Sequence, residues 1–129
     1  MKNDNITIYY AGNELLEDDS MPFEILPKLK DKFPDISFIH HDPSENLKPE
    51  KLLIIIDTAI NTDKVVLIRK AEMLEQHDLY SPHDWDLAFN LKLLIRLGEI
   101  DDFVIIALPP RGDIDKIFGD VVVEIEKLI

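Results

Sequence analysis

The chain has no cysteine, so disulfides, thiolate metal sites, iron–sulfur clusters and thiol catalysis are all excluded. Basic residues are scarce as well: 14 Lys and Arg stand against 26 Asp and Glu, a net charge of −12. Nucleic acid and anionic membrane surfaces attract clustered Lys and Arg, so neither is expected as a partner. A metal cation or a basic protein surface suits this charge balance better. No apolar run approaches the roughly 20 residues of a membrane span. Nothing behind the polar start Met1-Lys2-Asn3-Asp4-Asn5 looks like a signal peptide. The motifs HExxH, Walker loop and GxGxxG are missing, which leaves zincin, nucleotide-hydrolase and dinucleotide-binding readings without support. Ser20, Ser44 and Ser81 have no elbow or triad pattern around them. The expectation is a soluble cytoplasmic protein, monomeric, without membrane contact.

The residues that are present read as one domain spanning 1–129, with no internal repeat, low-complexity tract or linker. The hydrophobic share of 46% is enough for a single well-buried core. Ile6-Thr7-Ile8-Tyr9-Tyr10 reads as a strand, and Gly12-Asn13 after it as a turn. Two leucines, Leu15 and Leu16, are then trapped between acids, and the segment closes on Asp18 and Asp19. Adjacent acids ahead of a helix are ordinarily N-caps. A helix begins at Ser20 or Met21, with Met21, Ile25, Leu26, Leu29 and Phe33 at helical spacing. Pro27 should kink or restart it.

Ile36 to Ile39 reads as a second strand. Leu52-Leu53-Ile54-Ile55-Ile56 is continuous rather than alternating, as expected of a central strand covered on both faces, and Asp57 stands just beyond it. Val65 to Ile68 should return antiparallel beside that central strand, because the intervening segment is too short for a crossover helix. Ser81-Pro82-His83-Asp84 opens a helix by capping-box and proline-first chemistry. That helix runs to Leu97, with Leu87, Ala88, Leu91, Leu94 and Ile95 on one face and Gly98 as its stop. Phe103 to Leu108 is the last strand. Asp113 opens a C-terminal helix whose buried face is Ile114, Ile117, Val121, Ile125 and Leu128. This order predicts an α/β fold, a three-layer α/β/α sandwich over a mixed, mostly parallel five-stranded sheet.

Ligands of open α/β folds bind at the carboxyl ends of the parallel strands. Asp19 and Asp57 qualify by that position, and an acid directly after five aliphatic residues needs a partner. The bland alternative for Asp57 is a turn cap with Thr58 or Asn61. His83, in the first turn of a helix, is held neutral by the macrodipole and is the third candidate. Two carboxylates and an imidazole suit a divalent cation with open coordination positions. His40, His41 and His77 have no partner spacing that lifts them above ordinary surface histidines.

Gly12-Asn13-Glu14-Leu15-Leu16-Glu17-Asp18-Asp19 resembles the GNxLxxDD signature of the nickel–iron hydrogenase maturation endopeptidases. Leu53 to Asp57 resembles their central strand ending in aspartate. Ser81-Pro82-His83-Asp84-Trp85-Asp86-Leu87 resembles their SxHxxxL segment, and Val104 to Pro110 their last strand ending in proline. The four matches occur in the family's order and span most of the chain. The resemblance implies a phosphorylase/hydrolase-like sandwich and removal of a C-terminal peptide from a hydrogenase large-subunit precursor. It implies nickel, carried by that substrate, as the metal met by Asp19, Asp57 and His83, with other divalent cations as alternatives. It also implies substrate contacts at Asp42, Gly12 and Asn13. Departures are Tyr10 in place of a glycine, a displaced glycine after Asp19, and Asp42-Pro43-Ser44-Glu45 in place of a small-residue substrate loop. The altered loop suits a non-cleaving relative that binds metal or protein; the intact Asp19, Asp57 and His83 set suits an enzyme. A flavodoxin-like binding domain with no metal role is a third reading.

Overall fold

The computed structural model describes residues 6–41, 50–59, 62–69, 93, 95–98 and 100–129. Five strands form one sheet: β1 (Thr7–Tyr10), β2 (Ser37–His40), β3 (Glu50–Thr58), β4 (Val66–Ile68) and β5 (Ile100–Leu108). Their spatial order is β2-β1-β3-β5-β4. β1 runs parallel to β2 and β3, β3 runs parallel to β5, and β4 alone is antiparallel, against β5. The mixed, mostly parallel five-stranded α/β sheet expected from the chain is therefore present.

The aliphatic runs occupy the middle of the sheet for the reason their composition suggests. In β3 and β5, Leu53 to Ile56 and Phe103 to Leu108 are buried residue after residue, so both faces of these strands are covered. On one face Ile8, Ile54, Ile56, Val104, Ile106 and Leu108 meet two helices, α1 (Met21–Lys32) and α2 (Ile114–Leu128). α1 contributes Met21, Ile25 and Leu29, and α2 contributes Ile117, Val121 and Ile125. Ile114 and Leu128, expected on the same stripe, are only partly buried. The opposite face carries buried Leu53, Ile55, Phe103 and Ile105. The helix expected over it, from Ser81 to Leu97, lies outside the described residues except at its end. There Leu97 N donates to Leu93 O and Gly98 N to Ile95 O, with Gly98 at φ +74°, the glycine stop expected. Ile95 is exposed rather than buried.

Several local expectations are revised. β4 does not lie beside β3: β5 takes that edge, pairing with β3 from Glu50↔Ile100 to Thr58↔Leu108 and leaving β4 only the outer edge of β5. α1 continues through Pro27, which is exposed, while Met21, Ile25 and Leu29 hold both halves of the helix against the sheet. Asp113 caps α2 as expected, its carboxylate accepting from Asp115 N at 3.0 Å and Lys116 N at 3.5 Å. No helix among the described residues is long and apolar enough to cross a membrane.

Candidate active site

Four parallel strands, β1, β2, β3 and β5, share one carboxyl edge, where the loop after β1, His41 after β2 and Asp57 and Thr58 in β3 are found. β1 leads through α1 to β2 on one side, whereas β3 lies on its other side, so the chain reverses direction of travel between β1 and β3. A crevice opens outside the carboxyl ends at such a switch point. Ala11 extends the ladder by one bond, its N–H donating to Ile56 O at 2.8 Å. Gly12 then turns the chain with φ +121°. Its turn is one that only glycine fits, because a Cβ there would stand 2.5 Å from the backbone oxygen of Asp19.

The loop from Gly12 to Asp19 is braced from within. Asn13 N donates to Asp19 O at 2.9 Å, Leu16 N to Asn13 O at 3.1 Å, and Asp19 N to Leu16 O at 2.9 Å. Asn13 Oδ1 accepts from Leu15 N at 2.9 Å, a side chain standing in for backbone. The segment closes in a short 3-10 turn, Glu17–Asp19, packed against β3. Gly12 and Asn13, expected as substrate contacts, thus have a structural duty: they lock the backbone of Asp19. Asp19 is not the N-cap residue of α1. Ser20 holds that position without a side-chain capping bond, and Asp19 lies one residue earlier at 5% exposure.

Asp57 is 3% exposed and sits inside β3 opposite Ala107, not beyond the strand. The ladder outruns the aliphatic run because Ala107 and Leu108 keep pairing and Ala59 N donates to Leu108 O at 2.8 Å. Asp57 Oδ1 accepts from Thr58 N at 2.7 Å. The local bond to Thr58 anticipated by the turn-cap reading is therefore made, and it engages one of the two carboxylate oxygens. Asp19, in the loop after β1, and Asp57, near the carboxyl end of β3, are each nearly withdrawn from water.

The fold is similar to that of a solved endopeptidase. The solution structure of an endopeptidase from Escherichia coli superposes with a TM-score of 0.64 over 93% of this chain and 90% of that one, at 17% identity. By sequence, no family model and no curated protein matches. The likeness to the endopeptidase is therefore one of fold.

The remaining expected residues divide. His83 and Asp42 lie outside the described residues. Among the described residues, no three His, Asp or Glu side chains gather as a metal-binding group; of the three donors expected from the sequence, Asp19 and Asp57 are the two within the described residues. Their hard oxygens fit a divalent cation in kind.

Three residues at this edge were not singled out by sequence. His41 comes directly after β2, is buried rather than a surface residue, and stands edge-on to Tyr9 at 6.3 Å. His40 places Nε2 3.3 Å from Gly12 O and joins Tyr10 and Phe23 in a ring cluster with centroids 5.3–5.5 Å apart. This cluster ties β1, β2 and α1 together beside the crevice. Thr58 is buried, and its hydroxyl has no hydrogen-bond partner among the described residues. The available signal was positional: like Asp57, these residues end parallel strands.

Proposed function

We propose that the protein is an endopeptidase that removes the C-terminal peptide of a nickel-loaded nickel–iron hydrogenase large-subunit precursor. The observation that carries this reading is the burial of two carboxylates, Asp19 in the loop after β1 and Asp57 near the carboxyl end of β3. It is supported by the motif order in the chain and by a fold like that of the Escherichia coli endopeptidase. In this mechanism nickel belongs to the substrate. Asp19 and Asp57 offer it carboxylate oxygens and His83 an imidazole nitrogen, so that completing its coordination docks the precursor and positions the peptide. Hydrolysis consumes one water: its oxygen bonds to the scissile carbonyl carbon, the C–N bond breaks, and a proton passes to the departing amine.

The test mixes the purified protein with the nickel-loaded precursor from the same source and tracks the precursor's intact mass. Wild type is expected to release a C-terminal peptide and Asp57→Asn to release none. Binding without a change in mass would sink the protease reading. The second reading, a non-cleaving relative, would then stand. It is favoured by Asp42-Pro43-Ser44-Glu45, where the resemblance calls for small residues that let a peptide approach.

A further inference from the structure

The loop that holds Asp19 also displays two apolar side chains that its own backbone does not need. Leu15 is 88% exposed and Leu16 51%, while Ala11 before them and Met21 after them are buried. Turn geometry favours Gly, Asn, Asp or Ser at such places, and nothing in the bonds that shape this loop calls for leucine. Single exposed leucines are ordinary. An adjacent pair on a turn braced by four hydrogen bonds is different, because the leucines are held outward in one arrangement. A pre-ordered contact loses little conformational freedom when a partner covers it.

Charge indicates what kind of partner this is. Glu14 and Glu17 flank the leucines, both exposed, on a chain of net charge −12; Arg111 stands 3.7 Å from the Glu17 carboxylate, so the negative character rests on Glu14 and the overall charge. A complementary surface has an apolar pocket with Lys and Arg around its rim, which steers the approach and fixes the register. Position indicates what the contact accomplishes. The loop that begins at Gly12 ends at Asp19, so a protein seated on Leu15 and Leu16 is delivered to the edge that carries the buried carboxylates.

We propose that Leu15 and Leu16 are a docking point for the folded protein substrate, entering a basic-rimmed apolar pocket on its surface. This rests on the proposed function, in which the substrate is a protein precursor. The experiment measures binding of the nickel-loaded large-subunit precursor to wild type, Leu15→Ser, Leu16→Ser, Glu14→Lys and Val123→Ser by calorimetry, with precursor mass tracked in parallel. Val123 is an exposed apolar residue of α2 and serves as control.

Each leucine variant is expected to bind about ten- to a hundred-fold more weakly, the range for losing one buried leucine side chain. Glu14→Lys should weaken binding more at low salt than at high salt, and Val123→Ser should bind within about two-fold of wild type. At saturating precursor, cleavage by the leucine variants should match wild type, since they dock and do not react. Wild-type affinity in both leucine variants overturns the proposal even if cleavage is seen. Loss of binding in those variants without any cleavage by wild type keeps the docking point and overturns the protease reading. No binding by wild type overturns both.

Discussion

Replacing Gly12 by alanine should be among the most damaging single-methyl changes available to this protein. Two costs add. At φ +121° an L side chain is strained by about 1–3 kcal/mol. The new Cβ would also stand 2.5 Å from Asp19 O, and the obstruction is backbone, so it cannot swing aside as a side chain would. Relieving it displaces the oxygen that accepts from Asn13 N, at a further cost of about 0.5–1.5 kcal/mol. The sum is about 1.5–4.5 kcal/mol. Unfolding entropy of about 2.1 cal/mol/K per residue, over 129 residues, gives about 0.27 kcal/mol/K. The thermal midpoint should therefore fall by about 6–17 °C, measured by calorimetry with urea denaturation as a second probe. Gly119→Ala is the internal control: it sits in α2, a Cβ there meets nothing within 4 Å, and helix propensity favours alanine by up to about 1 kcal/mol. Gly12→Ala costing less than about 1 kcal/mol would refute the claim that this glycine fixes the backbone of Asp19.

Two other substitutions test the packing around the site and the far helix. Thr58→Val keeps shape and removes a buried hydroxyl that has no partner among the described residues, so it should stabilise by about 1 kcal/mol in urea denaturation; a loss of stability would show that the hydroxyl is satisfied. Asp113→Ala removes both capping bonds at the start of α2 and should cost about 0.5–2 kcal/mol by the same measurement, with an unchanged midpoint counting against the cap.

Much of the architecture could be read from patterns with a local cause. Leu52 to Ile56 and Phe103 to Leu108 are unbroken aliphatic runs, and such runs are comfortable only where both faces are covered. The α2 helix carried its own start signal in Asp113 and its own buried stripe. Asp19 and Asp57 could be assigned to the carboxyl edge of the sheet from their place near strand ends, and both are buried there. The features that escaped depend on residues distant in sequence. β4 is three residues long and carries no signal that chooses β5 over β3; the choice belongs to β5, whose long register with β3 occupies that edge. The burial of His41 and Thr58 comes from what neighbouring strands do at the same level, which no spacing within one segment encodes. Propensity alone makes Pro27 a break in α1, but the tertiary contacts of Ile25 and Leu29 on either side outweigh one missing bond.

The parallel pairing of β1, β3 and β5 also constrains the order in which the sheet can be completed. Ile8 pairs with Ile54, and Ile54 with Val104, so each joint closes a long stretch of intervening chain before any contact rewards it. The bond from Ala11 N to Ile56 O, which launches the Gly12 loop from the right place, exists only after β1 has reached β3. During synthesis, β5 emerges after all the other strands, and Asp57 gains its neighbour Ala107 only then. A nascent chain stopped before residue 100 holds the Gly12–Asp19 loop and Asp57 without the partner strand that completes the sheet around them. The sheet edge beside Asp57 is completed only when β5, the last strand of the chain, joins β3.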